Sequence, residues 1–171
     1  MRGAPNGDEL SADDAHILAL ESSTVMGHTL KLNVLTPGPP LDVDALRDAV
    51  NARLPHQPRT RMRVDTSGPV ARWVPDPTFD IRAHVRRSPI ADGETTADLW
   101  RVVSRLMSEH LDRDRPLWCI DVIGPLADGS EAIAVRMHHA MVDGVAGVRL
   151  LETVLWDFPA PAAAEPASPL V

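Results

Sequence analysis

Two adjacent histidines, His138 and His139, are followed by Asp143 four positions after the second histidine and by Gly144 directly after it. An imidazole accepts and returns a proton near neutral pH, and a nearby carboxylate can fix local geometry or oppose developing charge. Neighbouring strand residues point to opposite faces, so we expect one histidine to face the core and the other a cleft. Glycine at position 144 would let the turn bring Asp143 back towards the histidines. The spacing therefore indicates a general base rather than a nucleophile.

Other catalytic chemistries have less support in the sequence. It contains no G-x-S-x-G elbow, no H-E-x-x-H motif and no glycine-rich phosphate loop. The single cysteine, Cys119, excludes an intramolecular disulfide and a cysteine-ligated zinc site, and its apolar surroundings favour a core position over a catalytic one. His84 and His110 lie within patterned elements, where structural roles are more common. For the histidine motif itself, bracing of the loop stays open as the structural alternative.

The segments before and after the motif have the patterns of a layered α/β domain. Helix caps are predicted at Ser11, at Asp42 and at Thr95 or Thr96, and the longest helix has an apolar stripe that extends to His110 and Leu111. Alternating or apolar runs predict strands over 28–35, 61–64, 71–74, 81–86, 117–123 and 131–137. A further helix is predicted from Val145 to Leu155. We therefore expect a mixed, largely antiparallel sheet with packed helices over 10–158, between a flexible N-terminus (1–9) and a Pro/Ala-rich linker or tail (159–171).

Length and charge restrict the class of protein. The 171 residues, with a net charge of −7 and 44% hydrophobic positions, suit one compact domain. No apolar run approaches the ~18–20 residues of a membrane span, and the N-terminus lacks signal-peptide features, so we expect a cytoplasmic protein. The acidic balance argues against a nucleic-acid partner. Nine arginines against four aspartates over 47–87 could hold a phosphate-bearing ligand, but more often form the solvent face of strands.

The motif His138-His139-Ala140-Met141-Val142-Asp143-Gly144 resembles the H-H-x-x-x-D-G motif of the acyl-CoA-dependent acyltransferase superfamily. That superfamily includes chloramphenicol acetyltransferases, carnitine acyltransferases and the condensation domains of peptide synthetases. Within it, the segment Asp114-Arg115-Pro116-Leu117-Trp118 is similar to the P-L-W segment of bacterial wax ester synthase/diacylglycerol acyltransferases. Segments 10–14 and 79–85 also resemble that family's N-terminal half. The resemblance covers about 10–158.

The resemblance implies a chloramphenicol-acetyltransferase-like layered α/β fold and an acyl transfer from acyl-CoA to diacylglycerol or a long-chain alcohol. By the same resemblance, His139 is the general base, His138 and Gly144 support the loop, and Asp143 is structural and pairs with an arginine. Acyl-CoA is then a co-substrate, no cofactor or metal is required, and no residues are assigned to bind CoA. Peripheral contact with a membrane or lipid droplet is compatible with lipid substrates.

Members of that family continue into a second, similarly built half, with the active-site tunnel between the halves. A fragment, half of a split enzyme and an inactive remnant are therefore three open interpretations of this chain. A different class of function also stays open. By the resemblance, a C-terminal half or a second chain is an expected partner of the acyltransferase. A non-catalytic module would bind a partner chain or a lipid surface through the face that a second half would cover.

Overall fold

The computed structural model describes residues 8–88, 90, 95–142 and 144–155. Its helices are α1 (Ala12–Ala19), α2 (Val43–Arg53), α3 (Ile81–His84), α4 (Thr96–Ser108) and α5 (Gly144–Leu155), with 3-10 turns at Leu54–His56 and Pro58–Arg61. Its strands are β1 (Asp8–Glu9), β2 (His28–Val34), β3 (Met62–Asp65), β4 (Arg72–Pro75), β5 (Val85–Ser88), β6 (Trp118–Ile123) and β7 (Ala132–His138).

A four-stranded sheet in the order β2-β7-β6-β5 forms the centre of the described chain. Strand β7 is antiparallel to both of its neighbours, whereas β5 is parallel to β6. Because His28 pairs with His138 and Trp118 pairs with Met137, the start of β2, the end of β7 and the start of β6 meet at one end of this sheet. A second, antiparallel sheet has the order β1-β4-β3. The predicted mixed, largely antiparallel α/β architecture is confirmed.

Helices cover both faces of the central sheet. On one face, α4 contributes Leu99, Val103 and Leu106 to an apolar cluster with residues of β6 and β7. On the other face, α2 and α5 pack together over a larger cluster that includes Trp118 and Met137. Burial of apolar side chains contributes about 25 cal/mol per Å² removed from water, so these two layers hold the strand ends in place.

Local capping fixes where the helices begin, as predicted. Ser11 Oγ accepts the N–H of the residue three positions later at 3.0 Å, and Asp42 Oδ1 accepts two N–H groups of α2 at 2.9 and 3.0 Å. The Thr95 N–H and hydroxyl both donate to the Asp98 carboxylate, at 2.7 and 2.8 Å. Each cap satisfies N–H or hydroxyl groups that the helix itself leaves unpaired.

The predicted strand over 81–86 is wrong over its first four residues. Asp80 Oδ1 accepts the N–H of Arg82 at 2.9 Å and starts the single helical turn α3, so β5 begins only at Val85. The turn places the His84 ring against the Trp118 ring, with centroids 4.6 Å apart. Tertiary stacking and a cap therefore outweigh the alternating pattern at this position.

Two further boundaries differ from the prediction. Helix α4 ends at Ser108, so His110 does not belong to its apolar stripe. The buried Arg136 guanidinium donates to the carbonyls of Leu106 and Glu109, at 2.8 and 3.2 Å, and so binds the C-terminal end of the helix. Asp8 and Glu9, expected in a flexible N-terminus, instead pair with β4. The predicted linker or tail over 159–171 lies outside the described residues.

Candidate active site

The two adjacent histidines occupy different environments at the end of β7. The His138 side chain is fully buried, while His139 is exposed in the turn that follows the strand. Strand alternation does not produce this difference, because every residue of β7 is buried and His139 lies in the turn beyond the strand. His139 is therefore the histidine of the pair that is open to solvent.

Backbone contacts hold the turn on both sides of His139. The His139 N–H donates to the Gly27 carbonyl at 2.9 Å, and the Met141 N–H donates to the His138 carbonyl at 3.0 Å. The His138 N–H donates to the Leu117 carbonyl at 3.0 Å, so the motif is hydrogen-bonded to the Pro-Leu-Trp segment (116–118). The backbone that carries the exposed imidazole is thus attached to two neighbouring strand ends.

The His138 ring makes a local contact that shapes the same turn. Its Nδ1 atom accepts the N–H of Ala140 at 3.1 Å. Its Nε2 atom lies 3.4 Å from Oε1 of Glu21, whose side chain is 5% exposed. Arg113 donates through Nε to Oε2 of Glu21 at 2.6 Å and through Nη2 to the Leu18 carbonyl at 2.7 Å.

Burial is the main influence on the pKa values of His138 and of its cross-strand partner His28. Burial lowers the pKa of His138, the Glu21 carboxylate opposes that effect, and the positive charge of Arg113 adds to it. Burial also lowers the pKa of His28, the cross-strand partner of His138, and the nearby charge of Arg136 acts in the same direction. Both rings are therefore held towards the neutral form.

Gly27 is required by close packing against the histidine ring. Its φ of +64° lies in the left-handed region, and a Cβ added there would be 2.3 Å from His138 Nε2. Any side chain would therefore meet both backbone strain and a steric clash with the motif.

A buried charge network lies on the α4 face of the sheet. Asp121, which is 0% exposed, accepts from Arg86 Nε at 2.7 Å and from Arg136 Nη2 at 3.3 Å. Because Arg136 also binds carbonyls at the end of α4, the network links three strands to that helix. The network stabilises β7 at Arg136, two positions before the motif begins at His138.

The remaining predicted residues fall in several places. Asp143 lies outside the described residues, and Gly144 is the first residue of α5. Cys119 is buried in β6, and burial raises its pKa to about 12, as expected of a core thiol. His84 is buried, with Nδ1 2.8 Å from the Trp118 carbonyl, and the exposed His110 has Nε2 2.9 Å from the Ser22 carbonyl.

A cavity of about 340 Å³ opens beside the strand ends that carry the motif. Pro116, Trp118, His84, Arg86 and Arg136 are among its lining residues, and His139 is not. The cavity therefore adjoins the motif without containing the candidate base. No group of three metal-ligating side chains, and no helix able to cross a membrane, occurs in the part of the chain that the structure describes.

Several residues around the motif were not predicted from the sequence. Glu21 and Gly27 lie in a segment without helical or strand periodicity, and Arg113 lies in a charged turn, so pattern alone gave no indication of them. A signal did exist for Asp121 and Arg136, because each is a charged residue inside an otherwise apolar strand. Such residues are seldom buried without a partner.

Residues 10–169 match the wax ester synthase/diacylglycerol acyltransferase catalytic domain, and the chain belongs to this family. It is 35% identical over 155 residues to tgs2 of Mycobacterium tuberculosis, named a probable diacylglycerol O-acyltransferase, and the match covers 86% of this chain and 34% of the relative. The chain thus spans about a third of the length of the curated relatives that it matches.

Solved structures confirm the fold. The wax ester synthase/diacylglycerol acyltransferase of Marinobacter aquaeolei VT8 superposes with a TM-score of 0.67 at 24% identity, over 82% of this chain and 36% of that one. A starter condensation domain of rhizomide synthetase, solved with C8-CoA, gives a TM-score of 0.69 at 14% identity, over 87% of this chain and 35% of that one. The predicted family and layered fold are both confirmed.

Proposed function

We propose that the chain supplies the histidine side of an O-acyltransferase site, which moves a fatty acyl group from acyl-CoA to diacylglycerol or a long-chain alcohol. The observation that carries the proposal is the contrast between the two histidines, since His138 is buried and His139 is exposed on an anchored turn. Family membership supplies the reaction class. The C8-CoA complex of a protein with this fold supports a CoA thioester as donor.

In the proposed reaction, His139 takes the proton of the acceptor hydroxyl as its oxygen attacks the thioester carbonyl. The new C–O bond forms, the C–S bond breaks, and the imidazolium returns the proton to the departing CoA sulfur, giving an ester and free CoA. General-base assistance of this kind contributes about 10²–10⁴-fold in rate. An alcohol is too weak an acid to ionise freely at neutral pH, and no covalent acyl-enzyme is needed.

His138 and Gly144 support the turn in this proposal, and Asp143 is a structural residue of the motif. The assignment of Asp143 rests on the motif alone, since that residue lies outside the described part of the chain. Acyl-CoA is a co-substrate here. The proposal requires no metal or other cofactor.

The proposal is tested by incubating the purified chain with long-chain acyl-CoA and either diacylglycerol or a fatty alcohol, and following free thiol and the ester product. A parallel arm adds a separately expressed polypeptide with the remaining part of tgs2, about two-thirds of that relative. We expect acceptor-dependent release of CoA with ester formation in at least one arm. If neither arm forms ester, the acyltransferase proposal is wrong and a non-catalytic module is the better description.

A further inference from the structure

Glu21 lies outside the histidine motif (residues 138–144), but its carboxylate lies beside the buried His138 of that motif. We propose that Glu21, anchored by Arg113, is a positioning residue that fixes the ring tautomer of His138 and thereby the turn that presents His139. The inference rests on the proposed role of His139 as the base. It adds a residue of the segment between α1 and β2 to the proposed machinery.

The tautomer follows from the hydrogen bond inside the turn. Nδ1 of His138 accepts the Ala140 N–H at 3.1 Å, so this nitrogen carries no proton. A neutral imidazole has one N–H, which is then on Nε2. The opposite tautomer would place two donors against each other and break the contact with Ala140.

The Glu21 carboxylate favours the tautomer that the turn requires. Its Oε1 atom is 3.4 Å from His138 Nε2 in an electrostatic contact, and neither atom makes a hydrogen bond among the described residues. A carboxylate only accepts hydrogen bonds, so it stabilises a ring with the proton on Nε2 and disfavours one with a lone pair there. Because both side chains are at most 5% exposed, water competes little with this interaction.

Arg113 determines which oxygen of Glu21 is left for the histidine. Its guanidinium binds Oε2 of Glu21 through Nε at 2.6 Å and through Nη2, while Nη2 also binds the Leu18 carbonyl at the end of α1. Oε1 is therefore directed at His138. The path from α1 to the turn consists of contacts between Leu18, Arg113, Glu21, His138 and Ala140.

The structure also indicates how a tautomer change would reach His139. The peptide groups on both sides of the exposed imidazole depend on this region, because the His139 N–H is bound to Gly27 and the Ala140 N–H to the His138 ring. Loss of the second contact frees one side of the turn. Positioning of the base would then decline while the strands stay paired.

Glu21→Gln is the decisive variant because it keeps the size of the side chain. Arg113 binds the amide oxygen in preference to the amide NH₂, so the NH₂ group is directed at His138 Nε2 and favours the Nδ1–H tautomer. We expect the tautomer ratio, measured by ¹⁵N NMR of the His138 ring, to shift at least about tenfold towards Nδ1–H. Amide hydrogen exchange at Ala140 should become about tenfold faster.

A double variant, Glu21→Gln with Arg113→Met, provides a rescue. Without the guanidinium, the glutamine can turn its oxygen towards Nε2–H, so we expect the wild-type tautomer and slow Ala140 exchange to return. Glu152→Ala, at an exposed position of α5, is the matched control and should change neither signal. A simple structural role for Glu21 would predict further loss in the double variant rather than recovery.

The proposal is overturned if Glu21→Gln folds as the wild type does and leaves both the tautomer and the Ala140 exchange unchanged. It is also overturned if the double variant is worse than the single one. These measurements need no substrate, so they judge Glu21 independently of acyl transfer. In the transfer assay we expect Glu21→Gln to lower kcat about tenfold with KM nearly unchanged, because the turn and not substrate binding is altered.

Discussion

Gly27→Ala should destabilise the chain through the histidine turn. An L-residue at φ +64° costs about 1–2 kcal/mol, and the added Cβ, placed 2.3 Å from His138 Nε2, must displace that ring. Displacement removes the contact with Ala140 and leaves buried polar groups unpaired, which costs about 1–3 kcal/mol. We therefore expect the free energy of unfolding to fall by about 2–5 kcal/mol.

Urea unfolding followed by circular dichroism measures this change, and the melting temperature should fall by about 4–20 °C for a chain of this size. Gly68→Ala is the matched control, because Gly68 is exposed and its added Cβ would have no atom closer than 3.8 Å among the described residues. The control should stay within about 0.5 kcal/mol of the wild type. A Gly27→Ala variant as stable as this control would refute the packing of Gly27 against His138.

Three further outcomes follow from buried groups. Asp121→Ala leaves Arg136 buried without its carboxylate, so we expect a loss of about 3–5 kcal/mol in urea unfolding; a loss below 1 kcal/mol would contradict the network. Burial lowers the pKa of His28 and His84, so the unfolded state binds protons more readily. The contribution of these two rings to the free energy of unfolding should be complete above pH 6.5. It should decrease as the pH falls from there towards the lowered folded pKa values, by up to ~1.4 kcal/mol per pH unit for each ring. A free energy of unfolding that does not change over this range would contradict the prediction. The raised pKa of Cys119, about 12, predicts alkylation at pH 8 at least about a thousandfold slower in the native chain than in guanidinium, and comparable rates would refute it.

Sequence patterns predicted the helices and strands correctly wherever residues close together in the sequence determine the local structure. The N-cap of helix α4 and the apolar stripe along it are both visible in the sequence. Strands β6 and β7 are visible as apolar runs separated by turn residues. The error over 81–86 has a tertiary cause, because the stacking of His84 on Trp118 depends on a residue 34 positions away. Distant contacts of this kind have no periodic signature.

The candidate site was predictable only in part for the same reason. Strand alternation predicted that the two histidines would face different surroundings. His138 is buried in β7, whereas His139 lies in the turn after the strand, so the end of the strand and not alternation exposes it. Which residues surround His138 depends on the β2–β7 register and on the segment that brings Glu21 and Gly27 to the end of β7. No local rule links a glutamate near position 20 to a histidine near position 140. The contacts of Glu21 and Gly27 with His138 therefore follow from tertiary packing and not from local sequence.

The assignment of His139 as general base is tested most directly by comparing ester formation by the wild type and by His139→Ala, in whichever assay arm is active. His16→Ala, at an exposed position of α1, serves as the control. We predict a 10²–10⁴-fold lower kcat for His139→Ala, with unchanged unfolding and with full activity of the control. Equal turnover by wild type and His139→Ala would contradict the account.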